Sequence, residues 1–208
     1  GAPLSFIIKN SDHHSKDYSN IYNTPRPSHA DYPATVRYNG FNDINGSGHF
    51  SGRLTADINV AGFIAQEILK EHDVYVFSHL YSLGDIVDER FDDLKFTDYS
   101  YLKNRKIEVI NDEIIDKIDD KIEELRDRKD SVGSSVETVV YNLRAGVGDT
   151  LFDSIESRLS QSYFGIGAVK SVEFGLGKSF DKSNASVVND CYYIESEQIK
   201  TKTNYNGG

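Results

Sequence analysis

The sequence predicts an α+β fold in which helices cover small sheets. Two observations carry the expectation: a strand-helix-strand order is legible twice, ending once near Leu80 and once near Gly175, and no short repeat runs through the chain. Composition agrees. With 208 residues, 38% hydrophobic and 27% charged, the chain suits one compact domain or two small ones around an ordinary core.

In chain order, Ala2 to Lys9 (APLSFIIK) is short, apolar and β-branched toward its end, and reads as a strand. From Asn10 to Gly52 no helical period appears. That stretch holds three of the four prolines, most of the histidines and many Asn, Asp, Ser and Gly residues, so it reads as a long structured loop, a kind of segment that is frequently functional. Leu54, Ile58, Ala61, Ile64, Ala65, Ile68 and Leu69 recur at spacings of three and four, which predicts a helix over Thr55–Glu71 with one apolar stripe on a core. Val74 to Leu80 alternates as a strand, and residues 84–110 read as a loop or insertion. Ile114, Ile115, Ile118, Ile122 and Leu125 mark a narrow stripe on a charged helix over Asn111–Lys129, lying on the surface. Ser134 to Leu143 is a β-branched strand, Gly146-Val147-Gly148 a turn, and Leu151, Phe152, Ile155, Leu159 and Tyr163 the apolar face of a further helix. Ala168 to Phe174 follows as a strand, and the polar run 178–203 reads as a mobile loop or insertion.

A formal net charge of −10 opposes sequence-independent attachment to nucleic acid, which depends on clustered Lys and Arg. No apolar run is long enough for a bilayer span. Cys191 is the single cysteine, so no internal disulfide forms, and a reducing cytoplasm is the expected compartment. The start at Gly1, the lack of methionine and the closing Asn206-Gly207-Gly208 turn together suggest a piece of a longer product.

Chemistry concentrates in two places. In "RPSHADY" (Arg26–Tyr32), His29 is the one side-chain type of its loop that titrates near neutrality, and Asp31 or the turn backbone is placed to set its tautomer. A histidine hydrogen-bonded for structure is the competing reading. In "NGSGHFSGRLTA" (Asn45–Ala56), Gly46 and Gly48 permit close backbone approach while Ser51, Arg53 and Thr55 sit where a helix begins, a place suited to a phosphate or an electron-rich ring edge. A plain capped helix explains the same residues. His13, His14 and His49 raise a metal, although no zinc spacing is present; His72 and His79 read as structural.

Together these stretches resemble the chorismate synthase family. The likeness runs through "NSDHHSKDY" (Asn10–Tyr18), "RPSHADY", the Gly-rich turn, "VAGFIAQEIL", "AGVGDTLFDSIESRLSQ", "AVKSVEFGLG" and "TNYNGG". The resemblance implies an incomplete version of a layered β-α-α-β sandwich, assembled as a homotetramer. It also implies a lyase that removes phosphate and a ring proton from 5-enolpyruvylshikimate 3-phosphate in a 1,4 elimination requiring reduced FMN, with NADPH or an outside partner as reductant. On this likeness His29 matches the family's proton donor; His49, Phe50, Ser51, Gly167 and Ala168 match flavin-contacting segments; Arg53 matches an arginine facing substrate or cofactor phosphate. The departures are His49, Phe50, Gly52 and Leu54 inside the Gly-rich motif, and Ser28 where the family has glycine. A second catalytic histidine and arginine-rich segments of the family have no counterpart here, so the chain by itself is expected to turn nothing over. A degenerate relative acting as a binding or assembly module is the alternative.

Overall fold

A computed structural model describes residues 1–11, 14, 18, 20, 21 and 24–207. They form two compact units, Gly1–Ala65 with Phe164–Val169 and Gln66–Tyr163 with Lys170–Gly208. The fold is α+β.

In the first unit the strand expected at Ala2–Lys9 is not formed, and Leu4 and Ile7 are 76% and 88% exposed. A β-branched run becomes a strand only when a neighbour pairs with its backbone, and among the described residues none does. The supposed loop from Asn10 to Gly52 contains a helix, α1 (Asp31–Arg37), with Asp31 in its first turn and Arg37 in its last, the charge order the helix dipole favours. Only Ala34 is buried, so seven residues leave no apolar period to read. Irregular 3-10 turns over Asn45–Phe50 and Gly52–Leu54 lead into α2 (Thr55–Lys70). The spacing located α2 to within a residue, yet none of its residues is buried: the predicted stripe stands open at Ile58 and Ile68.

The second unit is built on an antiparallel sheet ordered β2-β1-β3, from β1 (Tyr75–Leu83), β2 (Ile86–Val87) and β3 (Ser134–Tyr141). Tyr75 opposes Tyr141, Phe77 opposes Val139 and His79 opposes Glu137, so these pairs share one face. Residues 84–110 carry little regular structure but supply much of the core: Phe91, Tyr99 and Leu102 pack with Val139 and Tyr141. The apolar stripe of α3 (Ile115–Arg128) is partly buried, with Ile118, Ile114 and Val109 packing against Leu80, Leu83 and Ile86. On its other side, Glu124 pairs with Lys121 and Arg128 at 3.0 and 2.8 Å, surface pairs of little energetic weight.

Three further expectations need correction. Leu151 and Phe152 precede α4 (Ile155–Phe164) and are 80% and 88% exposed, because the Ser154 hydroxyl accepts from the Ser157 N–H at 3.2 Å and starts the helix there. Ala168–Phe174 is not a strand; Ala168 sits at φ 71°, outside extended conformation. The polar run after Lys178 is ordered: α5 (Ala185–Val188) precedes a hairpin of β4 (Tyr192–Glu195) and β5 (Gln198–Thr201). Its turn residues, Ser196 and Glu197, have φ of 50° and 66°, the tight hairpin geometry without the Asn-Gly signature that advertises it. Asp190 then braces the chain end, accepting from the Thr203 hydroxyl and the Tyr205 N–H at 2.8 Å and the Asn206 N–H at 2.9 Å.

Candidate functional site

The turn carrying His29 is closed by an ion pair between its own ends. Arg26 donates to both oxygens of Asp31, from Nε at 2.9 Å and from Nη2 at 3.0 Å, and its backbone N–H adds a third bond at 3.0 Å. The fork holds the Asp31 carboxyl down at about 2, below the ordinary carboxylate value of about 3.9. Because the folded value is lowered, the pair contributes fully above the ordinary value and fails only as pH falls toward 2, so the turn stays closed at neutral pH.

The expectation that Asp31 sets the His29 tautomer is therefore not met: both carboxylate oxygens are taken by Arg26. The His29 backbone N–H donates to the Arg26 carbonyl at 3.4 Å, and its imidazole is exposed with no side-chain hydrogen bond among the described residues. Ser28 has φ 62°, so this turn needs the left-handed conformation that glycine adopts freely. Ser28→Gly is expected to raise stability by about 0.5 to 1 kcal/mol, the left-handed cost removed less the added freedom of the unfolded chain. Urea unfolding checks it, and an unchanged midpoint would mean that serine bears no strain there.

The Arg26 Nη2 also donates to the Ser47 hydroxyl at 2.7 Å, and this bond joins the histidine turn to the Gly-rich turn. Gly46, Ser47 and Gly48 have φ of 61°, 64° and 50°, three positive values in succession. At Gly48 an added Cβ would lie 2.6 Å from the Asp43 carbonyl, so a side chain there is sterically excluded. Arg53 reaches back to donate to the Gly46 carbonyl, and its own N–H bonds the Ser51 hydroxyl at 3.3 Å. The Thr55 hydroxyl closes on the Gly52 carbonyl at 2.7 Å. His49 and Phe50 are exposed, their ring centroids 4.4 Å apart, and the Tyr38 hydroxyl lies 3.4 Å from His49 Nε2.

The turn that carries His29 and the Gly-rich turn are thus joined at Arg26 and Ser47. Gly167 and Ala168 belong to the same compact unit, in the turn after α4, but among the described residues no hydrogen bond ties them to either turn. His13 of the metal reading lies outside the described residues, as does most of "SDHHSKD"; among those described, no group of three His, Cys, Asp or Glu side chains is placed to hold a metal. The sequence marked Arg26 only as a neighbour of His29. Its part as the connector depends on Ser47, 21 residues away.

In kind, these residues fit a flavin. His49 and Phe50 offer exposed aromatic faces, and Arg53 with the start of α2 supplies positive charge for a ring oxygen or phosphate. The sequence model of the family described as chorismate synthase matches residues 1–208.

The chain belongs to the chorismate synthase family. It is 38% identical over 208 residues to the chorismate synthase of Pyrococcus abyssi and 36% identical over 210 residues to that of Thermococcus gammatolerans. In both cases the match takes in 100% of this chain and 57% of the relative. A crystal structure of chorismate synthase superposes with a TM-score of 0.71 at 23% identity, over 86% of this chain and 56% of that one, which shows a shared fold. The chain therefore spans little more than half the length of the chorismate synthases it matches.

Proposed function

We propose that this chain is the portion of a chorismate synthase that carries the flavin-facing acid, in an enzyme that eliminates phosphate and a ring proton from 5-enolpyruvylshikimate 3-phosphate to give chorismate. One observation carries the reading: the Arg26 guanidinium holds Asp31 and Ser47 at once, which ties the two motifs that resemble the family to each other. His29 is the proton donor, presented to solvent on a turn braced by Arg26 and Asp31. His49 and Phe50 supply stacking surface, Ser51 starts the following helix, Gly167 and Ala168 line the cofactor from the turn after α4, and Arg53 faces the phosphate of substrate or cofactor. Reduced FMN, when bound, supplies electron density to the carbon that the phosphate leaves.

Family membership supports this reading, and with it a homotetramer acting in the cytoplasm, with NADPH or an external reductase keeping the flavin reduced. Among the described residues no helix is long and apolar enough to cross a membrane. The chain as it stands, matching 57% of its relatives' length, is expected to form no chorismate. The test is chorismate formation by the full-length protein under anaerobic conditions with reduced FMN; flavin binding without turnover would favour the binding-module alternative. Arg53→Ala is expected to weaken flavin or substrate affinity about tenfold, the cost of one exposed charge-assisted contact. Unchanged affinity in a fluorescence titration would assign Arg53 to bracing Gly46.

A further inference from the structure

In the second unit, the register of β1 and β3 sets His79 opposite Glu137 on the apolar face of the sheet. His79 is 1% exposed, and its ring meets Phe91 edge-on with centroids 4.5 Å apart. Nδ1 lies 2.9 Å from Asp88 Oδ2 and Nε2 lies 3.0 Å from Glu137 Oε2. Both carboxylates already accept elsewhere. Asp88 takes the Ile110 N–H on Oδ2 and the Asn111 N–H on Oδ1 at 2.9 Å. Glu137 takes the Phe91 N–H on Oε2 at 2.9 Å and faces Arg90 Nη1 from Oε1 at 3.4 Å. Every oxygen of the two carboxyl groups therefore faces a donor. A neutral imidazole has one N–H, so one of its two contacts would press a nitrogen lone pair against a carboxylate oxygen away from water.

We propose that His79 is held as an imidazolium donating from both ring nitrogens, and that it clamps β1, β3 and the 84–110 segment together. This inference is independent of the catalytic reading above.

His79, Asp88, Glu137 and Arg90 together carry no net charge, so the site does not need an outside ion. The other titratable groups facing it are few. Tyr81 of β1 has its ring 6.1 Å from that of His79 and carries the Arg90 guanidinium 4.9 Å above its centroid. Asp93 interacts with Glu137, and Tyr101 with Asp88. From the stretch before α3, Arg105 donates to the Ile110 carbonyl at 2.9 Å and pairs with Asp112 at 2.7 Å. No element other than these presents an opposing cation to the imidazole among the described residues. Opening frees Phe91, a core residue, and strips the Ile110 and Asn111 N–H groups of their acceptor.

Nitrogen NMR of the full-length protein labelled at histidine tests the proposal. At neutral pH both His79 ring nitrogens are expected to show the shifts of proton-bearing nitrogens. Glu137→Gln, which offers an amide donor to Nε2, is expected to give a singly protonated ring and to quicken amide exchange at Phe91, Ile110 and Asn111. One protonated nitrogen in the unaltered protein, or exchange in the variant that matches the unaltered protein, overturns the clamp; should the variant fail to fold, the unaltered protein's spectrum still decides.

Discussion

Replacing His29 with alanine in the full-length protein is expected to cut chorismate formation by about 10²- to 10⁴-fold, the range over which a positioned acid contributes. The fold should survive the change. His29 is exposed and its imidazole accepts or donates no hydrogen bond among the described residues, so truncation leaves no buried group without a partner. Stability should stay within about 0.5 kcal/mol of the parent, as for surface substitutions that touch nothing. Braced by the Arg26–Asp31 pair, the turn keeps its shape without the ring. Steady-state rates under anaerobic, reduced-flavin conditions, read beside a thermal melt, separate the two effects. Turnover like that of the unaltered enzyme would remove His29 from the chemistry, and a collapsed melt would make it a structural residue.

Asp88→Ala should produce the largest loss of stability, about 3 to 5 kcal/mol. The Asp88 side chain is fully covered and accepts from His79, Ile110 and Asn111, so its removal leaves three donors in a dry interior with nothing to accept them. Against a total of about 5 to 15 kcal/mol for an ordinary domain, the second unit would lie near its unfolding threshold. Asp88→Asn keeps one acceptor oxygen and should cost about half as much. Urea unfolding measures both; a loss under about 1 kcal/mol for the alanine variant would mean that water or other groups take over those donors.

Elements with a long apolar period were readable in advance. The positions of α2, α3, β1 and β3 follow from side chains recurring every three to four residues or every second one, a pattern each segment shows without reference to the rest. Short elements were not: α1 has one buried residue, and the β4–β5 hairpin turns on Ser196 and Glu197 where glycine or asparagine would have signalled it. Strands at Ala2 and Ala168 were predicted from β-branched composition and did not form, because composition says a strand is permitted and only a paired neighbour makes one.

By itself, then, the sequence determined the family and the glycines that let the backbone bend before α2, and it named His29 and Arg53 as candidates, since these are properties of residue identity and order. Only the tertiary structure decided that Arg26 reaches Ser47, that Asp31 serves Arg26 and not His29, and that His79 lies between Asp88 and Glu137. The reason is range: a hydrogen bond is settled within about 3 Å, and residues 21 or 58 positions apart reach that distance only after the chain between them has folded.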